Sequence, residues 1–399
     1  MGPFRIGDSP LRILFLDADI SYMNPTRNLW PDVLRGAAQT DFFGPGYSSR
    51  RVLDMGLESF VAQRGPYDWI LASEHVLFSD ATGWSVDNYT RNYGFSMPAD
   101  DLRSLPSILE ELLRITGVRR ASTLLESDYY NFNSWQIERV DHLSDLVIGW
   151  GEQFVRPLAD LPNVESEAFA RKVSDGWARF TREKRDRILP LVHFVGPEEF
   201  CGRPLASRRY EIVVPGARYA RREVLRESLP EPKDVRTLRM AGRVARGAAR
   251  RVGSPRVSES VRRLTRWTYV RELFNTRSAF ADGSRLNYPV RKYFEIPAAG
   301  ALLLCEPCAG FEELGFVDQR NCTVEDFERL GSRGVPRLPR YEWQTVAAAG
   351  REMVARNHSV HKRSLQLRDT LIRASSDRFR GAAWSYGQLI ELGSGEVLG

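Results

Sequence analysis

Short apolar runs alternate with amphipathic stretches along most of this chain. Residues 11–16 (Leu-Arg-Ile-Leu-Phe-Leu) read as a first strand and residues 30–38 as a helix. Gly44-Pro45-Gly46 then marks a turn. Residues 49–63 place Val52, Leu53, Leu57, Phe60 and Val61 on one side and predict a single amphipathic helix. Residues 68–72, 121–125 and 145–148 are strand-like, and residues 102–116 are helical. Alternation of this kind predicts an α/β fold with a parallel sheet covered by helices on both faces. A strand at 188–192 runs into Gly196-Pro197 and a loop to Arg209, which reads as a crossing between domains. Residues 210–214 open a second α/β series that closes with helices at 342–355 and 361–374. The expected units are therefore 1–192, 193–375, and a C-terminal tail at 376–399 whose last residues, from Gly393 to Gly399, fray.

One stretch breaks the alternation. Residues 236–266 carry ten arginines and one acid, Glu259, with a weak apolar stripe through Met240, Val244 and Ala248. Its functional reading is a basic helix touching anionic lipid or a polyanionic acceptor. Its plain reading is a solvated helix and linker inserted into the second unit.

Composition narrows the classes. A chain of 399 residues with 42% apolar and 27% charged residues can build two cores of useful size. No apolar run approaches the roughly 18–20 residues of a membrane span, and no signal-peptide core precedes Leu11. A cytoplasmic protein is expected, with any membrane contact peripheral, at the inner face. The net charge is +6, and almost all of the basic charge is arginine. Arginine suits bidentate phosphate binding, but nothing in the pattern specifies nucleic acid. Cys305-Glu306-Pro307-Cys308 has CxxC spacing without a second such pair, so it reads as a strand end and its loop rather than a zinc site.

The densest chemistry lies in Arg291-Lys292-Tyr293-Phe294-Glu295-Ile296-Pro297-Ala298-Ala299-Gly300, followed by the apolar run 301–305. A short charged helix, a glycine and a buried strand put one carboxylate at the edge of a sheet, where doubly wound folds offer strand ends to ligands. Upstream, a strand ends at Gly216 and a helix with arginines begins. Free N–H groups at such a start attract phosphate.

Phe294-Glu295-Ile296-x-Ala298-x-Gly300, together with Gly216-x-x-Tyr219-x-x-Arg222, resembles the donor-site segments of group 1 glycosyltransferases of the GT-B architecture, closest to the branch that includes spore-maturation-type proteins. The resemblance implies two Rossmann-like domains facing across a cleft. It implies that Glu295 holds the ribose of a sugar nucleotide. Gly216, Arg222, Arg218 and Tyr219 would lie near its diphosphate, with Arg291 and Gly300 completing the donor side. Relatives in the wider group show a second glutamate eight positions before the first; here Asn287 stands there, and the spore-maturation branch shares the Leu286-Asn287 pair. The first domain would supply the acceptor side. Asp128 is the first candidate for a base or orienting group and His75 the second; His193 falls at the crossing. Asp17-Ala18-Asp19 imitates a metal-binding DxD pair, but follows the first strand of the acceptor domain. No cofactor and no obligatory metal are expected. The implied activity is transfer of a sugar from a nucleotide-diphosphate sugar to a glycan, lipid or protein acceptor; the alternative is a non-catalytic protein of the same build that binds a polyanionic or glycan partner.

Overall fold

The computed structural model describes residues 5–6, 9–19, 25–80, 99–125, 133–155, 176–216, 220–229, 233–252, 255–283, 287–334 and 336–399. Two parallel sheets organise them. The first contains β1 (Arg12–Leu16), β2 (Gln39–Phe43), β3 (Trp69–Ser73), β4 (Arg119–Thr123), β5 (Leu146–Gly149) and β6 (Ile188–Pro190), in the order β2-β1-β3-β4-β5-β6. Every pairing is parallel. Strands buried on both faces need continuous apolar side chains, and β3 is buried at all of its positions. The strand order reverses between β1 and β3, the point at which such sheets open a crevice. Helix α1 (Pro25–Ala37) follows β1, and the short α2 (Glu74–Leu77) follows β3 directly.

The second sheet contains β7 (Tyr210–Val213), β8 (Thr276–Ala281), β9 (Leu302–Cys305) and β10 (Thr323–Val324), in the order β10-β9-β8-β7, again all parallel. Between β7 and β8 stand α3 (Ala220–Ser228) and two twenty-residue helices, α4 (Lys233–Val252) and α5 (Pro255–Phe274), which pack on each other. The arginine-rich stretch is thus a helical hairpin. Helix α6 (Lys292–Ala298) precedes β9, and α7 (Trp343–Asn357) and α8 (Val360–Ser375) close the series.

Helix α8 returns to the first sheet and packs along α1. The approach is close: a Cβ on Gly36 would stand 2.4 Å from Ser364 Oγ. Residues 376–399, expected as a C-terminal tail, contain a hairpin of β11 (Ala382–Ser385) and β12 (Gln388–Glu391), and the end expected to fray is packed. Trp384 anchors it, its indole N–H donating to Pro190 O at 2.7 Å, and Leu389 and Leu398 are fully buried. Burying one tryptophan and two leucines outweighs the chain entropy that the glycines of this segment bring. The helix expected at 49–63 is also corrected. It breaks at Gly56, whose φ of +87° is open to glycine, into Arg50–Met55 and Leu57–Arg64.

The carboxyl ends of the two sheets meet. Trp150, just after β5, packs edge-on against Tyr288 in the loop before α6, with centroids 5.4 Å apart. Phe154 lies against Gly310, where a Cβ would come within 2.2 Å of its ring. One hydrophobic core runs through both sheets across this seam.

Candidate active site at the seam of the two sheets

Glu295 lies on α6 at the carboxyl edge of the second sheet and is buried. It is not the exposed helix acid that its neighbours in sequence would allow. Its Oε1 accepts from Arg291 Nε at 2.8 Å and from Arg266 Nη1 at 2.7 Å, and its Oε2 accepts from the Tyr269 hydroxyl at 2.7 Å. Burial alone would raise the Glu295 carboxyl, but Arg266, Arg291 and the Tyr269 hydrogen bond reverse this and hold it down at about 2. Burial and the adjacent Glu295 push Tyr269 far up, so it stays a donor. Three of the roughly four acceptor positions of a carboxylate are filled. Arg291 and Arg266 also ion-pair with Glu199, and Arg291 donates to Phe194 O, so two guanidinium groups balance two carboxylates. Arg291, expected on the donor side, is therefore the brace of this cluster.

Arg222, expected to face a diphosphate, is buried and holds Asp282 with both Nε (2.9 Å) and Nη2. Asp282 directly follows β8, so the pair fastens α3 to the sheet. Arg226 donates to Val214 O at 3.0 Å and Gly216 O at 2.8 Å and shapes the loop between β7 and α3. Gly216 stands in that loop at φ +96°, and a Cβ on it would come 2.1 Å from Lys292 Cε and 2.6 Å from Nζ. Only glycine admits the lysine this close. Burial, and then repulsion from Arg222, lower the Lys292 ammonium to about 8, with Glu295 and Asp282 opposing. Lys292 thus stays a cation at neutral pH beside a strand-to-helix loop. The sequence pattern marks it only as one of two bases on the turn with Glu295 and gives it no role. Gly300 takes φ +68° between α6 and β9, where a Cβ would stand 2.6 Å from Cys201 O. Asn287 adopts φ +51°, a left-handed position that asparagine tolerates better than glutamate.

On the first-sheet side, His75 is buried in α2, and burial followed by Arg27 pushes its imidazole well below the usual range. It belongs to a cluster at the β1/β3 reversal. Arg27 holds Asp17 Oδ2 at 2.8 Å and also Glu74, while Ser73 donates to Asp17. Burial, only partly offset by Arg27, raises Asp17 to about 7. His193 sits in the seam itself, bonded through Nδ1 to Thr26 Oγ1 at 2.7 Å and edge-on to Trp150. Burial, and then Arg291, lower its imidazole to about 3, so it is neutral at pH 7. Asp128, Arg218 and Tyr219 lie outside the described residues. Among the described residues, no group of three or more His, Cys, Asp or Glu side chains is arranged to hold a metal ion. Cys305, Cys308 and Cys322 are buried free thiols.

Residues 208–369, which hold the whole second sheet, match a family model described as glycosyl transferase-like. No curated protein matches the chain. Among solved structures, the chain is similar to HepE of Anabaena in complex with UDP-glucose, with 11% identity and a TM-score of 0.45 over 90% of this chain and 99% of that one. It is likewise similar to sucrose-phosphate synthase of Thermosynechococcus elongatus, with 12% identity and a TM-score of 0.43 over 90% and 97% of the two chains.

Proposed function

We propose that the chain is a glycosyltransferase that takes a sugar from a nucleotide-diphosphate sugar, with the donor seated at the carboxyl edge of the second sheet. The observation that carries this reading is the approach of Lys292 to Gly216, inside the segment that matches the glycosyl transferase-like model. The Lys292 ammonium and the start of α3 put positive charge where the diphosphate of a leaving nucleotide would gather charge as the glycosidic bond breaks. Gly216 lets Lys292 reach this loop, and the Arg222–Asp282 and Arg226 contacts hold the loop in place. Glu295, ionised at neutral pH, keeps about one acceptor position on Oε2 for a ribose hydroxyl beside Tyr269. The finer likeness to the spore-maturation branch belongs to this reading. So does metal independence, because fixed protein cations take the place of a bridging ion. The acceptor, a glycan, lipid or protein, enters from the first-sheet side, with Asp128 as its proposed orienting group.

The test incubates the protein with a panel of UDP-, GDP- and ADP-activated hexoses, with and without EDTA, and follows nucleoside diphosphate release. One donor should be cleaved regardless of EDTA, and Lys292→Gln should lower kcat/KM by about tenfold or more, as expected when a charge-assisted contact to phosphate is lost. Failure to cleave any donor, or full activity in Lys292→Gln, would remove the reading.

A further inference from the structure

The α4–α5 hairpin concentrates the charge of the molecule. Residues 233–274 hold twelve Lys and Arg against three acids, a net +9 against +6 for the whole chain, so the rest of the chain is net negative. The structure divides these arginines between two sides. Inward, Arg239 pairs with Glu272 and ties α4 to α5, while Arg266 pairs with Glu199 and Glu295. Those charges are answered within the fold.

The outward sides carry the exposed residues. On α4, Arg236, Met240, Arg243, Val244 and Arg251 are exposed and, at helical spacing, share one face. On α5, Val257, Arg263, Leu264, Trp267 and Arg271 are exposed and likewise share a face, with the Arg271 guanidinium 5.0 Å from the Trp267 ring. No acid occupies any of these positions. Val244 is 68% exposed and Trp267 55%. Of the eleven large hydrophobic residues exposed among the described residues, five stand on this hairpin. A solvated helix face would not gather them there, and charge complementarity to a dissolved polyanion would not call for them. Arginine interleaved with large apolar side chains and a tryptophan fits a surface that offers negative headgroups above hydrocarbon. Among the described residues no helix is long and apolar enough to cross a membrane, so contact of this type lies in the interface plane.

We propose that the outer faces of the α4–α5 hairpin dock on an anionic lipid bilayer. The arginines meet the headgroups, and Met240, Val244, Leu264 and Trp267 enter the headgroup–acyl boundary. The inner face of α5 keeps Glu295 and Glu199 paired through Arg266, so docking and the donor edge use different sides of that helix. The inference stands independently of the transferase reading.

The test is co-sedimentation of the full chain with vesicles of phosphatidylcholine alone and of phosphatidylcholine with 30% phosphatidylglycerol. Partition should require phosphatidylglycerol and fall as salt rises. Each arginine at such a surface contributes roughly a fivefold factor, so Arg243→Ala/Arg251→Ala should bind roughly 25-fold more weakly. Leu264→Ser/Trp267→Ser should also lose binding, and both variants should keep the wild-type melting temperature and nucleotide affinity. Quenching by brominated lipid should fall in Trp267→Phe, a readout that survives if a double variant folds poorly. Absence of partition, equal binding by the variants, retention on heparin without vesicle binding, or a dimer that Leu264→Ser/Trp267→Ser dissolves would each overturn the proposal.

Discussion

Asp17 and Glu295 are both buried carboxylates at the carboxyl edge of a parallel sheet, and both are held by arginine, yet burial leaves them in opposite states. Asp17 is raised to about 7 and Glu295 is held at about 2. The difference lies in the stoichiometry of charge. In the first sheet one guanidinium, Arg27, is shared by two acids, Asp17 and Glu74. In the second, Arg266 and Arg291 serve Glu295 and Glu199, and Tyr269 adds a neutral donor. Desolvation is paid in both places, but only the second site offsets it with a full complement of cations. The second edge therefore keeps a reliable anion beside a reliable cation, Lys292, as the proposed donor site requires. The first edge holds a proton near neutrality and suits no fixed charge.

The largest expected effect breaks the weaker cluster. Arg27→Met takes from the buried Asp17 and Glu74 the guanidinium they share and should cost about 3–5 kcal/mol at pH 8 in denaturant unfolding. Arg291→Met should cost less, because Arg266 still faces Glu295 and Glu199; equal losses would undo the stoichiometric account. A second comparison uses pH. The folded value of Asp17 lies above its ordinary 3.8, so the stability it contributes is present below that value and is lost as pH rises through about 7. Glu295 lies below its ordinary 4.5, so its contribution is present above that value and is lost only as pH falls through about 2. Between pH 5 and 8, the stability of the wild type relative to Asp17→Asn should therefore fall by on the order of 3 kcal/mol. Relative to Glu295→Gln it should stay flat, and a slope there would show that Glu295 is not held ionised. The smallest effect is expected from Tyr269→Phe. Losing one hydrogen bond to Oε2 should cost about 1 kcal/mol and leave the profile between pH 5 and 8 unchanged; a loss as large as that of Arg291→Met would mean that the tyrosine, not the arginines, holds the carboxylate.

Much of this frame was legible in the chain. The short apolar runs marked five of the six strands of the first sheet, missing β2, whose Gln39, Thr40 and Asp41 break the apolar pattern, and the Gly216 and Glu295 segments marked the strand ends of the second. The partners of Glu295 were not legible, because Arg266 and Tyr269 lie 29 and 26 residues away, on a helix whose composition reads as solvated. The partner of Arg222 was equally hidden, because Asp282 is 60 residues distant. Lys292 was hidden for a different reason: its significance comes from the missing Cβ of Gly216, a vacancy that only three-dimensional proximity reveals. At the C-terminus, the glycines suggested fraying while Trp384 and Leu398 carried the packing.

The most direct measurement is calorimetric titration of UDP, GDP, ADP and CMP into the wild type, Lys292→Gln and Asp17→Asn. One nucleotide should bind saturably, about tenfold or more weakly in Lys292→Gln and unchanged in Asp17→Asn. Binding by none of them, or binding lost in Asp17→Asn and kept in Lys292→Gln, would contradict the placement of the donor at the second sheet.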